Sequence, residues 1–463
     1  MKQQEELRNI KRDEIQKYII NNWEENKLIG TYQVSMGLGK GKIIADAIKL
    51  VVNTPEYYNK IVDCDVPILI QVSSTYLRDV DTVREILQWG VSKDLIASGK
   101  IEFVCYHTSY KWKKKDIGLM ISDEVDFALT TEYGKVFNKQ DPKYNLCLSG
   151  TFIDSKIELL NTLKYFPPIR FTYDVAQAQE ESIINKNKII VHYVPLDTKK
   201  NIKIEYIDKK TKEKKSFNTS EVEQYKYIER EIAILYSKLN GLYSELNNKK
   251  FLNEDTSTIS NDIAKYTKQL QFKQASPTNK KSRANIVYRL NSLTKYAIEL
   301  KNKLIEDEKN KVIIFCKFTD TIDEITNNGF HSKVDSATAD NVVDRFNCGE
   351  LKVIGVSKKA NRGINFTGLN HCIAHSFTSS ETDYFQGAKG RMTRLPIDET
   401  AYIHILVSYY TIKDKNGKET IKYCQNYTWA ASFLEKEKSE IVSVNNIEDC
   451  LNIIQNDRAY EIN

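Results

Sequence analysis

No two of the eight cysteines form a Cys-x-x-Cys pair; Cys64, Cys105, Cys147, Cys316, Cys348, Cys372, Cys424 and Cys450 are scattered along 463 residues. That spacing suggests neither a zinc site nor a disulfide framework, so reduced core thiols in a cytosolic compartment are expected. Also missing is any run of about 18 apolar residues, and with it any membrane-spanning helix. The opening residues, MKQQEELRNIKRDEIQ, contain no apolar segment of the kind that targets secretion. The expectation is a cytoplasmic protein with no membrane association. No nuclease-like carboxylate cluster and no zinc-finger pattern stands out.

What is present is apolar surface enough to fold. Hydrophobic residues make up 41% of the chain and charged ones 28%, a globular rather than a disordered composition. At roughly 100–200 residues per domain, the length calls for about three units. The formal net charge of +6 permits a polyanionic partner without requiring one.

Short β-rich runs alternate with helical patterns through the first 190 residues, as in VPILIQVS (66–73), IEFVCYHT (101–108), DIGLMISDE (116–124) and YNLCLSGT (144–151). A second series holds KVIIFCKF (311–318), LKVIGVSK (351–358), HCIAHSF (371–377) and TAYIHILV (400–407). Such alternation predicts parallel sheets with helices on their faces. Between the series, Val222, Tyr225, Ile228, Ile232, Leu235, Leu239, Leu242 and Leu246 step by three and four, the period of an amphipathic or coiled-coil helix. Ile259, Ile263, Tyr266 and Leu270 repeat it, and so do Ile286, Leu290, Leu293, Ala297, Leu300 and Leu304. A helical hairpin followed by a helix is predicted, with SPTNKKSR (276–283) and TKEKKSFNTS (211–220) as exposed turns or linkers. The expected division is an α/β lobe over 1–195, linker and hairpin over 196–305, a second α/β lobe over 306–430, and a helical tail over 431–463.

The strongest local feature is SMGLGKGKIIADAIKL (35–50), a glycine-rich loop opening a helix. Glycines let backbone N–H groups approach phosphate oxygens, the helix N-terminus adds positive potential, and a lysine reaches the β- and γ-phosphates. Gly37, Gly39, Lys40, Gly41 and Lys42 are the candidates, with Lys40 as the phosphate lysine. The usual pattern has Ser or Thr next, to hold Mg²⁺, where this chain has Gly41; a shifted register makes Lys42 the lysine but puts Ile43 at the hydroxyl position. The second feature is LMISDEVDFAL (119–129), an apolar run ending in carboxylates. Beside a phosphate loop, Asp123 can hold Mg²⁺ and Glu124 can polarise water; alone, the run is also an ordinary acidic turn.

Taken in order, GLGKG (37–41), DEVD (123–126) and SGT (149–151) resemble motifs I, II and III of superfamily 2 helicases. NRGINFTGLNHCIAHS (361–376) resembles motif V and YFQGAKGRMTRLP (384–396) motif VI, although the gap between Gln386 and Arg391 is one residue longer than usual. The resemblance covers roughly 10–190 and 305–410. It implies an α/β fold of two tandem RecA-like P-loop lobes that close on ATP and Mg²⁺. Arg391 and Arg394 would reach the γ-phosphate from the second lobe, and Gly363 and Asn365 would face the nucleotide. Ser149, Thr151 and Gln386 would couple nucleotide to nucleic acid, and Gln16 falls where the family often reads adenine. Within the superfamily, FVCYHTSYKWKKKDIGLMISDEVDF (103–127) is most similar to compact bacteriophage helicases, and more distantly to Swi/Snf-type translocases.

A motor needs a track, gripped by hydroxyls, amides and cations. Candidates are Ser73, Ser74, Thr75, Thr108, Ser109, Lys358, Lys359 and Thr378, with Lys111, Trp112 and Lys113 combining charge and an aromatic face. Hydroxyls at strand ends serve equally as helix caps. The expected partner is DNA, single-stranded or branched, with RNA the alternative, for a chain acting as a monomer with a protein-docking option at the hairpin. Two rival readings stay open: a duplex translocase that remodels DNA without unwinding it, and a helicase-like binding protein whose ATPase has decayed, prompted by Gly41 and the spacing before Arg391.

Overall fold

The computed structural model describes residues 2–150, 158–207, 213–252, 254–276, 279–357, 366–377, 390, 392–393, 395–396, 398–435 and 437–462. Its first sheet comprises β1 (Ile29–Val34), β2 (Val66–Val72), β3 (Ile101–Cys105), β4 (Ile117–Ser122), β5 (Tyr144–Ser149) and β6 (Ile169–Tyr173). They lie in the order β3-β2-β4-β5-β1-β6, every pair parallel. Parallel strands are covered on both faces, which is why β4 and β5, buried at every position, read as unbroken apolar runs. Because β5 lies between β1 and β4, the loops after all three emerge side by side at the carboxyl edge, where open α/β sheets bind ligands. Around this sheet pack α1 (Lys2–Glu25), α2 (Lys40–Asn53), α3 (Pro55–Ile61) and α4 (Thr82–Gln88). Helix α2 turns Ile43, Ile44, Ala47, Ile48 and Val51 inward at helical spacing.

The second sheet runs β11-β12-β10-β13-β14-β7-β16, formed by β7 (Asn187–Pro195), β10 (Val312–Phe315), β11 (Gly329–Phe330), β12 (Val353–Val356), β13 (His371–Ala374), β14 (Ala401–Lys413) and β16 (Glu440–Val444). The strand β15 (Glu419–Tyr423) hangs antiparallel on β14. Two α/β lobes are therefore present, as expected, but the division between them shifts. Strand β7, which the sequence places in the first lobe, pairs with β14 from Asn187↔Ala401 to Pro195↔Tyr409. The segment expected to be a helical tail adds β16 to β7 before its helix, Ile447–Ile462. Apolar residues mark a strand without saying which sheet receives it. Salt bridges from Lys188 to Asp457 at 2.7 Å and to Glu440 at 2.9 Å fasten the chain's end to β7.

Between β7 and β10, β8 (Ile202–Ile207) and β9 (Lys214–Thr219) form an antiparallel pair where an exposed linker was expected. Then come the predicted hairpin, helices Glu221–Phe251 and Ser257–Ala275, a short helix Arg283–Tyr288, and helix Asn291–Leu304. Ser220 and Glu223 form a reciprocal capping box at the hairpin's start. Tyr225, Ile228, Ile232, Leu235 and Leu239 share one apolar core with Val312, Ile314, Tyr402 and Leu406 of the second sheet, so the hairpin is rooted there. No described helix is long and apolar enough to cross a membrane.

That core also buries a run of imidazoles. Tyr296 Oη lies 2.9 Å from His192 Nδ1, His192 Nε2 lies 3.0 Å from His404 Nδ1, and His404 Nε2 lies 3.1 Å from His371 Nδ1. His371 Nε2 has no hydrogen-bond partner among the described residues. A run in which each ring donates toward Tyr296 leaves that nitrogen as a bare acceptor, less costly than a buried N–H without an acceptor. Burial lowers four of the buried second-lobe histidines, His404 to about 3, His375 to about 4, and His192 and His371 well below the usual value. Unfolded histidines take up protons near pH 6.5 that these folded ones refuse, so stability is complete above that pH and declines below it. Each can remove about 1 kcal/mol per pH unit. Thermal melts should therefore show a falling Tm between pH 7 and pH 5, and a Tm flat across that interval would contradict this burial.

Candidate nucleotide-binding site

The loop Ser35–Gly39 joins β1 to α2, with Gly37 at φ +87° and Gly39 at +86°, a region where a Cβ is strained. Gly39 is the N-cap of α2; its carbonyl accepts from Lys42 N at 3.1 Å, while the amides of Lys40 and Gly41 have no acceptor within the helix. Lys40 opens the helix, and its Nζ lies 3.4 Å from Asp123 Oδ1 and 3.7 Å from Glu124 Oε1. Burial lowers the pKa of that ammonium, but Asp123, Glu124 and Asp126 together more than reverse the effect, so it sits above the ordinary lysine value. Lys42, the lysine of the shifted register, turns away to Asp13 Oδ1 and Gln16 Oε1, both at 2.8 Å. Gln16 is 2% exposed, and its Nε2 donates to Leu38 O at 2.6 Å. Expected to read adenine, it braces the phosphate loop from α1 in this structure.

Strand β4 delivers Asp123 and Glu124 to the same edge. Glu124 takes φ 47° and ψ 48°, which costs a non-glycine residue on the order of 1–2 kcal/mol. Its backbone N donates to Asp123 Oδ1 at 2.9 Å, and Ser73 Oγ donates to its Oε2 at 3.2 Å. Tyr106 Oη fixes the Asp123 carbonyl at 2.8 Å. Asp126, 1% exposed, accepts a hydrogen bond from Ser149 Oγ at 2.9 Å, which links the loop after β4 to the end of β5. Sequence reasoning passed over Asp126 as a site residue, although it closes the DEVD run. Burial raises Asp123, Lys40 lowers it and Glu124 raises it again; the net shift is upward. Carboxylates that outnumber the ammonium they share could hold a divalent cation, with Asp123 and Glu124 as its ligands.

The expected nucleic-acid residues divide. Thr75, Thr108, Lys111 and Lys113 are exposed. Ser73 is spent on Glu124, and Ser74 Oγ accepts from Leu77 N at 3.3 Å, a turn-capping role. Ser109 is fully buried and accepts from Gln71 Nε2 at 2.8 Å, so its expected place on the track gives way to a core bond. Trp112 is half-buried against the first-lobe core, with Lys115 Nζ 3.7 Å from its ring centroid. Thr151, Lys358, Lys359, Gly363, Asn365, Thr378, Gln386, Arg391 and Arg394 lie outside the described residues.

The neighbours of those two arginines are described, and they meet the phosphate loop. A Cβ on Gly37 would lie 3.0 Å from Thr393 O and 3.0 Å from Ile184 Cγ2. Asn185 Nδ2 donates to Met392 O at 2.8 Å, and Leu395 N donates to Asn185 Oδ1 at 3.1 Å. From α1, Arg8 donates to Ile183 O at 2.8 Å and to Leu395 O at 3.2 Å. Sequence reasoning missed Asn185 and Arg8, which carry no motif.

Residues 295–395 match the helicase conserved C-terminal domain. A search of curated proteins finds no match to the chain. Among solved structures, it is similar to a single-substitution variant of Dbp5 from S. cerevisiae bound to RNA and ADP BeF3. The identity is 12%, the TM-score 0.52, and the match covers 96% of this chain and 93% of that one. Dbp5 from S. cerevisiae bound to RNA and ADP BeF3 matches at 11% identity and TM-score 0.52, over 93% of this chain and 89% of that one. At such identities the likeness is one of fold: two RecA-like lobes of the helicase type, the second carrying the helicase conserved C-terminal domain.

Removing the Asn185 side chain deletes the acceptor of Leu395 N–H and a donor to Met392 O. A hydrogen bond of about 1 kcal/mol or more is worth roughly a tenfold change in opening. Hydrogen exchange at Leu395 should accelerate by about tenfold in Asn185→Ala while β1 amides keep their protection; equal protection at Leu395 would show that this tie is not what holds the segment.

Proposed function

We propose that the chain is an ATP-driven motor on nucleic acid, with DNA as its track. One observation carries the reading: Lys40 faces Asp123 and Glu124 at the edge of one lobe while Thr393 of the other packs against the same loop. In this reading, Lys40 and the first-turn amides of α2 bind the β- and γ-phosphates, and Asp123 holds Mg²⁺. Bound Mg²⁺ neutralises charge on the phosphate oxygens. Glu124 orients a water against the γ-phosphorus and takes its proton as the bond to the β–γ bridging oxygen breaks, leaving ADP and inorganic phosphate. Arg391 and Arg394 stabilise the developing charge, and they do so only with the lobes closed. Gly363 and Asn365 complete the nucleotide's surroundings, and Gln386 and Thr151 the coupling to the track.

The bond from Ser149 to Asp126 supports coupling, because it ties the carboxylate run to the next loop along the sheet edge. Thr75, Thr108, Lys111 and Lys113 remain the first-lobe candidates for phosphate contacts, with Lys358, Lys359 and Thr378 their counterparts in the second lobe. The preference for DNA rests on the likeness of residues 103–127 to compact bacteriophage helicases, and RNA is the competing outcome. The proposal includes a cytoplasmic monomer whose helical hairpin is available to a protein partner.

Steady-state ATP hydrolysis, measured without nucleic acid and with single-stranded DNA, forked DNA, blunt duplex and RNA, tests it. Stimulation by DNA, lost by at least a hundredfold in Lys40→Ala and Arg391→Ala, is expected. No hydrolysis with any nucleic acid would put the decayed, partner-binding reading in its place, and stimulation by RNA alone would reassign the track. Ser149→Ala should bind nucleotide within about threefold of wild type but lose most of the stimulation; unchanged stimulation would remove Ser149 from the coupling path.

A further inference from the structure

Gly41 differs in kind from the two glycines before it. Gly37 and Gly39 have positive φ, whereas Gly41 does not and lies in the first turn of α2, where glycine is a poorer helix former than alanine. Its missing side chain therefore serves space rather than backbone freedom. The space is taken: a Cβ on Gly41 would stand 2.0 Å from Glu85 Oε2, 2.8 Å from Glu85 Cδ and 3.1 Å from Glu85 Cβ. Glu85 reaches that point from α4, which packs on α2, and is itself part-exposed. A carboxylate oxygen thus lies about where the hydroxyl of a serine or threonine at position 41 would be, one residue along from Lys40.

We propose that Glu85 takes over the missing hydroxyl's task and serves the nucleotide's Mg²⁺, directly or through one of its waters, from the opposite helix. This rests on the ATP-binding reading above and adds a residue to it. A carboxylate suits Mg²⁺, which is bound by one or two carboxylates together with substrate phosphates and waters. It also adds a negative charge to an edge that already holds Asp123 and Glu124 and that must admit a polyphosphate. Charge of one sign on both sides is tolerable only with a cation between them. Nucleotide binding should consequently depend on Mg²⁺ more steeply than a neutral hydroxyl at position 41 would require.

The test is binding of a fluorescent ATP analogue to the full chain across a Mg²⁺ titration, with Mn²⁺ bound in the ADP complex counted by electron paramagnetic resonance. Wild type, Glu85→Gln and the double variant Gly41→Ser with Glu85→Ala are compared. Glu85→Gln should need at least tenfold more Mg²⁺ for half-saturation. The double variant, which restores a hydroxyl and clears its space, should return to within about threefold of wild type. A wild-type Mg²⁺ requirement in Glu85→Gln would overturn this inference and leave the ATPase reading standing. So would a folded double variant that stays tenfold impaired, which decides the matter if Glu85→Gln does not fold. Wild type that binds no nucleotide at any Mg²⁺ concentration would overturn both.

Discussion

One half-hidden ammonium, Lys40 Nζ, faces two carboxylates at 3.4 and 3.7 Å, and the first lobe is arranged so that this meeting occurs. Lysine and carboxylates belong to loops after β1 and β4, strands that are not neighbours; β5 separates them. Their loops converge only because all three strands run parallel and end at one edge. Inserting β5 also places Ser149 where it can donate to Asp126, so the strand that spaces the pair carries a link to it as well. Removing the ammonium would leave two largely buried carboxylates unmatched, a loss larger than the group's own net worth. The left-handed Glu124 persists for the same reason, held by Ser73 and by the carboxylate of Asp123.

Among the described residues, the second lobe reaches this edge at Thr393, Met392 and Leu395. Asn185 lies at the crossing from the first sheet to β7, and together with Arg8 it grips the main chain of Met392 and Leu395. These are hydrogen bonds of about 1 kcal/mol each, somewhat more for the guanidinium, and they sit beside a sheet whose core is far harder to open. Continuity supplies the rest: β7 follows the crossing directly and lies between β14 and β16, so the second sheet is built onto the strand that connects the lobes.

Much of this was legible in the sequence because parallel strands, buried on both faces, declare themselves as apolar runs, and because phosphate loops and acidic strand ends have fixed residue types. The order of those features pointed to two lobes, and the three-and-four spacing gave the hairpin. What sequence could not tell was partnership. Asn187–Pro195 reads as a strand equally well in either sheet, and Ser109 has the same neighbours whether it meets a solvent-side phosphate or Gln71. Glu85 looks like any acidic residue on a short helix; only its carboxylate filling the space beside Gly41 shows what it is near. Gln16 was picked out by position, but its amide faces Leu38 O and Lys42, contacts that no local pattern encodes.

The hairpin shows how a periodic pattern can be read correctly and still mislead about burial. Its apolar spacing continues through Leu242 and Leu246, yet the buried residues of helix Glu221–Phe251 end at Leu239. Residues 240–251 therefore extend about 18 Å beyond the core at 1.5 Å per residue, past exposed Tyr243 to Phe251, which is 87% exposed. The base is fixed by bonds as well as by packing. Tyr225 Oη accepts from Gln425 N at 2.9 Å, Arg283 pairs with Glu229 at 3.1 Å, and Glu221 accepts from Asp197 N at 2.8 Å and Ser292 N at 3.1 Å. An arm held in this way cannot pivot on its own root without breaking these part-buried hydrogen bonds. The second lobe, in which the arm is rooted, also carries Thr393, which meets the phosphate loop at Gly37.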